Sequence, residues 1–189
     1  MAVRTIPVAA ILLFCLLDAG TTLAATTPAQ AAVTAVPNPV RVLADATYYD
    51  TLAALITNAD QRIDLAMFVF KTGKGRNNRP AGLARDLVAA RQRGVKVRVI
   101  LEESRHDPTL NRSNQETAQL LRKGGVAVFF DSPHRTNHAK LAVIDGRYCL
   151  VGSHNLTQSA LKYNHEFSLL LDNPTLAKEI LAYMETIPD

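Results

Sequence analysis

Tryptophan is absent from this 189-residue chain, aromatic residues make up only 6%, and there are two cysteines. Scarce aromatics leave few platforms on which nucleic-acid bases could stack. Cys15 falls in the leader described below, so Cys149 alone would remain, and a lone cysteine forms no intramolecular disulfide. It lies in the apolar run Tyr148-Cys149-Leu150-Val151 and reads as a buried strand residue. No cysteine cluster offers zinc spacing. No apolar run reaches the about 20 residues of a comfortable membrane span. There is no internal repeat, so one copy of any site is encoded. Charge is only mildly unbalanced: 21 Lys and Arg against 17 Asp and Glu give +4. That balance favours anionic partners such as nucleic acid or acidic lipid without requiring them.

What is present suffices for one folded domain, since 48% of the residues are hydrophobic. The N-terminus has a different character. Arg4 precedes the run Ile11 to Leu17, followed by small residues around Thr22-Leu23-Ala24-Ala25. That order predicts a secretory signal peptide over residues 1–25 and a periplasmic or secreted protein. Retention of residues 8–24 as a membrane anchor is the alternative. Phe14 before Cys15 is too large for a lipoprotein cleavage site. A Thr-, Ala- and Pro-rich linker follows over residues 26–39.

From Val40 onward, strand and helix patterns alternate. Strands are expected at Val40 to Leu43, Ile63 to Phe70, Val95 to Leu101, Val126 to Phe130, Leu141 to Ile144, Arg147 to Val151 and Phe167 to Leu171. Helices are expected over Thr47 to Asn58, from Pro80 to Arg93, and from Asn173-Pro174 through Glu185. Ser113 and Glu116 have capping-box spacing and predict a further helix opening there and ending at Gly124-Gly125. The alternation implies an α/β domain, a mixed β-sheet flanked by helices, over residues 40–187.

The chemistry concentrates between His138 and Glu166. His138 and Lys140 are two apart, so on a strand they share a face roughly 6.5 Å apart. A nucleophile or acid and a phosphate-holding cation could then meet one ligand. Asp145 has the opposite parity beside Gly146, and is expected to order the turn or a neighbouring polar group. Gly152-Ser153-His154-Asn155 follows the next strand, where Ser153 and Asn155 offer donors to phosphate oxygens. Asn164-His165-Glu166 precedes another strand. A carboxylate on one imidazole nitrogen frees the other for attack, and Glu166 is the candidate for that orienting role.

Together these residues read H-x-K-x4-D-G, then G-S-x-N, then N-x-E before a strand. The set resembles the signature of the phospholipase D superfamily, the HKD phosphodiesterases, and the looser similarity extends over most of residues 40–187. The resemblance implies a phospholipase D-like fold and phosphodiester cleavage through a phosphohistidine, with no cofactor and no metal. Members of this family use two motifs, and this chain holds one. A homodimer completing a shared active site is therefore implied, as in the short bacterial secreted endonucleases. By position, His138 is nucleophile or acid, Lys140, Ser153 and Asn155 hold phosphate, Glu166 orients His138, and Asp145 supports.

Other signals carry less. His134 and His138 are four apart, but Pro133 argues against the helix that zinc spacing would use. His154 is expected to be solvated and His165 to face away from Glu166. Between Lys71 and Arg98 nine Lys and Arg residues face only Asp86, and Lys71, Lys74, Arg76 and Arg79 share one loop that could grip a phosphate backbone. The leading expectation is a non-specific endonuclease on DNA or RNA. The alternative is a phospholipase D or cardiolipin hydrolase acting on phospholipid, and a non-catalytic nucleic-acid-binding module is the third reading.

Overall fold

A computed structural model of the chain describes residues 39–188; the expected signal peptide, the anchor alternative, Cys15 and nearly all of the linker lie outside them. Among the described residues the alternating pattern becomes seven strands and five helices. In chain order they are β1 (Val40–Ala44), α1 (Thr47–Thr57), β2 (Arg62–Met67), α2 (Arg79–Gln92), β3 (Lys96–Leu101) and α3 (Pro108–Lys123). Then come β4 (Ala127–Phe130), β5 (Lys140–Ile144), β6 (Tyr148–Gly152), α4 (Gln158–Lys162), β7 (Phe167–Asp172) and α5 (Pro174–Met184).

Three helices start on the same chemistry, an Asn or Asp cap with proline in the first positions. Asn78 Oδ1 accepts from the Ala81 N–H at 2.9 Å, Asp107 Oδ1 from Thr109 and Leu110, and Asn173 Oδ1 from Leu176. The Asp107 cap corrects the expectation that α3 opens at Ser113. Asp107-Pro108 supplies both a side-chain acceptor and a preset φ, so the helix begins earlier. Ser113 sits inside it, its hydroxyl donating to the Thr109 carbonyl at 3.0 Å. The five-residue α4 has no signature in the sequence, because one turn is too short to show a 3.6-residue period.

One sheet holds all seven strands in the order β1-β7-β6-β5-β2-β3-β4. β2, β3 and β4 are parallel and are joined through α2 and α3, as parallel neighbours require a crossover. The other pairings are antiparallel. One face of the sheet builds the main core, where Ile63, Leu65, Val99 and Leu150 pack with Leu52, Ile56, Leu87 and Leu121 from the helices. On the opposite face Ala66, Ile100, Val143 and Cys149 meet Ala177 and Met184 of α5. Burial pushes the Cys149 thiol up to about 11, an inert packing group as its sequence suggests.

α5 leaves much of that second face open. Val42 is 58% and Phe167 56% exposed, and a hollow of about 530 Å3 is lined by Leu141, Val151, Leu169, Leu171, Leu176 and Ile180 among others. Among the described residues no helix is long and apolar enough to cross a membrane.

Asp145 shows how the turns are fixed. Its φ is 53°, and its carboxylate accepts from the backbone N–H groups of Asp60, Gln61 and Arg62 at 3.0, 2.8 and 3.0 Å. Burial alone would raise its pKa, but these three bonds outweigh that and hold it below the usual carboxylate value. Replacement by alanine removes three hydrogen bonds and strains a left-handed residue, so a loss on the order of 3 kcal/mol is expected. Urea denaturation would measure it, with turnover of a small phosphodiester by the folded fraction unchanged; a fall in that turnover would place Asp145 in the chemistry instead.

Candidate active site

The strand directions bring His138, Lys140, Ser153, Asn155 and Glu166 to one end of the sheet. The C-terminal ends of β1, β2, β3, β4 and β6 lie there, beside the N-terminal ends of β5 and β7. Ligands of open α/β sheets gather outside the carboxyl ends of the parallel strands. At this end sit Asp45, Phe68, Glu102, Asp131, His138, Lys140, Asn155 and Glu166, drawn from seven separate stretches of sequence.

His138 lies two residues before β5 proper and is exposed, whereas Lys140 is only 8% exposed. The lysine turns back toward the histidine: Nζ donates to the His138 carbonyl at 2.7 Å and lies 3.3 Å from Nδ1. Phe68, just past β2, packs its ring 4.6 Å from the imidazole and 5.0 Å from Lys140 Nζ. The two side chains lie together although His138 precedes the strand, because the flexible lysine stem folds back and closes the spacing. Burial of the ammonium lowers the Lys140 pKa, opposed by the negative charge of Glu166. No sequence signal separates Phe68 from a core aromatic of its strand.

The glycine turn after β6 is forced by crowding. A Cβ on Gly152 would collide with the backbone of Ser168 in β7. Beyond it, the Ser153 hydroxyl donates to Glu166 Oε2 and accepts from the Phe167 N–H at 3.1 Å. Glu166 Oε1 also accepts from Asn164 Nδ2 at 3.1 Å. Asn155 is different: its Oδ1 is buried and finds no donor. An amide so uncommitted to the fold suits a ligand-holding group.

His154, expected in solvent, is instead fully buried. It stacks on Tyr48 with ring centroids 4.2 Å apart, its Nε2–H donates to the Asp45 carbonyl at 3.0 Å, and Nδ1 accepts from the Ser168 hydroxyl at 2.7 Å. Burial lowers its pKa, so it is a neutral strut beneath the turn. The variable position of the G-S-x-N turn carries no sign of this, because Tyr48, Asp45 and Ser168 come from distant parts of the chain. His165 faces outward as expected, 3.4 Å from Asp45 Oδ2. Asp45 is a positioning residue that the sequence does not single out. With φ at 50°, it accepts the Glu166 N–H at 2.9 Å and returns its own N–H to the Glu166 carbonyl at 2.9 Å. That backbone bond from Glu166 is the main reason its carboxyl lies below the ordinary value.

Two sequence assignments are not brought together within one chain. β7 is separated from β5 by β6, so at about 4.8 Å per strand Glu166 starts near 10 Å from the His138 strand. Its carboxylate serves Ser153 and Asn164 rather than the His138 ring. Asp145 lies at the far end of β5, five residues and about 16 Å from Lys140; it belongs to the fold, in the turn-ordering role read from its parity. His134 contacts the Arg105 guanidinium, and among the described residues no group of three or more His, Cys, Asp or Glu could hold a metal ion.

A buried acidic pair also escapes sequence reasoning. Glu102 and Asp131, 1% and 5% exposed, both accept the backbone N–H of Asn137, at 2.6 and 2.9 Å. Asn137 directly precedes His138, so the pair anchors the loop that carries the His138 imidazole. In sequence each acid merely follows a strand, and only the parallel β3–β4 pairing makes them neighbours.

A sequence profile of the family described as cardiolipin synthase, PLD-like domain, matches residues 52–187. The mitochondrial cardiolipin hydrolase of Xenopus tropicalis is 32% identical over 130 residues, 69% of this chain and 56% of its own length. The human mitochondrial cardiolipin hydrolase is 31% identical over 136 residues, 72% of this chain and 48% of its own. The chain therefore spans about half the length of the curated relatives it matches. Among solved structures, Nuc of Salmonella typhimurium, a phospholipase D family member, superposes with a TM-score of 0.67 at 23% identity, covering 78% of this chain and 92% of that one. NucT from Helicobacter pylori gives 0.63 at 20% identity, covering 78% and 94%.

Proposed function

The chain belongs to the phospholipase D-like family, and from that premise we propose that it is a metal-independent phosphodiesterase, a non-specific endonuclease acting on DNA or RNA. The observation that carries the chemistry is the exposed His138 imidazole set against the Lys140 ammonium, with Nδ1 and Nζ 3.3 Å apart. A fixed cation so close to Nδ1 repels a second one and makes that nitrogen a poor metal ligand.

In the proposed reaction one His138 Nε2 attacks phosphorus, forming an N–P bond as the P–O bond to the leaving group breaks. A second, protonated His138 gives its proton to the departing oxygen. Water then attacks the phosphohistidine, surrendering a proton to that second imidazole, and the N–P bond breaks. Lys140 and Asn155 neutralise and bind the phosphate oxygens. Ser153 contributes through Glu166, which it bonds.

Two His138 rings require two chains. A two-fold homodimer supplies them, and the apolar second face, left open beside α5, is a surface suited to such a partner. In the lone chain Lys140 can donate to Nδ1, which keeps the ring proton on Nε2 and holds back attack. A carboxylate on Nδ1 reverses the tautomer. Because Glu166 stands two strands away within its own chain, the dimer lets each His138 take that carboxylate from the other copy.

The endonuclease reading draws support from the basic loop after β2, which starts alongside Asn155. The second reading, hydrolysis of a phospholipid such as cardiolipin, draws support from the named activity of the curated relatives. A periplasmic or secreted setting follows from the reading of residues 1–25. The deciding experiment incubates purified protein, in excess EDTA, with plasmid, single-stranded DNA, RNA and labelled phospholipid. Nicking and degradation of nucleic acid in EDTA is the expected result. Cleavage of lipid with nucleic acid untouched would end the nuclease reading, and loss of every activity in EDTA would end the metal-free one.

A further inference from the structure

Arg76, Arg79, Arg85, Lys162 and the Tyr49 ring converge on an open basin of about 320 Å3. Among the described residues none of these four cations forms an ion pair with a carboxylate. A second hollow of about 350 Å3 adjoins it through Arg76 and adds Lys74. Surface cations are usually scattered and solvated; here they are gathered without a paired carboxylate, on a surface with a fixed shape.

That shape is built by the loop between β2 and α2. Asn78 Oδ1 accepts from Gly73 as well as from Ala81. Gln158 of α4 accepts from the Arg79 N–H at 2.8 Å and donates to the Asn77 carbonyl at 3.3 Å. The Arg79 guanidinium bonds the Leu161 carbonyl and lies 4.8 Å over the Tyr49 ring. Gly82 leaves room for that ring, since a Cβ there would stand 3.0 Å from the Tyr49 hydroxyl.

The basin is joined to the site by backbone. Lys71 N–H donates to the Leu156 carbonyl and Leu156 N–H to the Val69 carbonyl, both at 2.9 Å, so the basic loop starts alongside Asn155. From Lys162 the chain runs through Tyr163, 68% exposed, to Asn164 and Glu166. Those roughly four residues span at most about 14 Å, a few phosphates along a strand.

We propose that this basin docks the phosphate backbone of a single nucleic-acid strand and holds the substrate beside His138, with the exposed Tyr163 ring available to a base. The proposal rests on the nuclease reading and names where that substrate runs. A concave basin of converging cations matches a strand of spaced phosphates. A bilayer surface would call for protruding apolar side chains among the cations, and none of the large exposed aliphatic residues lines the basin.

The test uses the full chain carrying His138→Ala, so that nothing is cut, and a labelled oligothymidylate titrated over a salt series. Adding Arg76→Ala, Arg85→Ala and Lys162→Ala should weaken binding on the order of 100-fold at low salt and reduce the slope of log affinity against log salt by about 2, at about 0.7 per phosphate contact. Arg79 is left in place because it also holds Leu161. An unchanged Tm verifies the fold. A charge-matched control lacking Arg41, Lys123 and Lys178, exposed cations on other elements, should keep the parent slope. An unchanged slope in the basin variant, with the parent binding normally, overturns the basin and leaves the nuclease reading intact. A parent that ignores the oligonucleotide, while the unsubstituted chain hydrolyses cardiolipin vesicles, overturns both. Lost vesicle binding with an unmoved oligonucleotide slope would make the surface a lipid-docking one and refute the proposal.

Discussion

Replacing His138 by alanine is expected to lower phosphodiester hydrolysis by about 10⁴-fold or more, the scale seen when a covalent nucleophile is removed. Folding should be untouched, because the imidazole is exposed and meets Phe68 and Lys140 from the surface. The more discriminating form of the experiment mixes chains. If each site needs two His138 rings, a hybrid dimer of one intact and one substituted chain is dead. Co-refolding equal amounts should then leave about a quarter of the activity, the share of fully intact pairs, rather than about half. A result near one half would show that each chain works alone, and the shared site would have to be abandoned. Fully retained activity in the homogeneous variant would remove His138 from the mechanism altogether.

The second large effect is a pH dependence set by Glu102 and Asp131. Two buried carboxylates that both accept the Asn137 N–H cannot comfortably both be ionised, so one proton is retained between them. Burial first, and then the hydrogen bond with the Asp131 side chain, pushes Glu102 up to about 7 from an ordinary 4.5. Around the pair, the Glu103 N–H donates to Asp131 Oδ1 at 2.6 Å, and Arg135 lines a hollow of about 220 Å3 with Asp131.

A carboxyl whose pKa is raised on folding stabilises the folded state fully below its unfolded value, and that contribution is lost as pH climbs through the folded value. Stability should therefore fall between about pH 4.5 and 7, by on the order of 2 kcal/mol or roughly 5 °C in Tm. Glu102→Gln keeps a hydrogen-bonding group but carries no proton to lose, so its Tm should be flat across that window. Because Asn137 precedes His138, activity in the parent should decline on the alkaline side before that of the Glu102→Gln variant does. Parallel Tm curves for the two proteins would show that the pair does not hold a proton.

These two predictions differ in how much of their basis a reader of the sequence could see. His138, Lys140 and the G-S-x-N turn stand close together in the chain, and a strand's two-residue alternation already puts the first two on one face. The strand and helix order is likewise legible, since apolar periodicity and Asn-Pro or glycine punctuation are local signals. Where a local signal misleads, a competing local signal has prevailed: Asp107-Pro108 opens α3 ahead of Ser113. Glu102 and Asp131 are 29 residues apart, and Asp45 and Glu166 are 121 apart. Nothing in the sequence pairs them.

The sequence by itself therefore determined the pairing of His138 with Lys140, because the chain supplies an imidazole and an ammonium two residues apart. It determined the α/β class for the same reason, as periodicity is a property of short segments. Only the tertiary structure decided which carboxylates meet. It put Glu166 two strands from His138, gave Asp145 to a turn on the far side, and buried His154 against Tyr48. Those outcomes follow from strand order and register, which arise from how the whole sheet packs and are written in no single stretch of the chain.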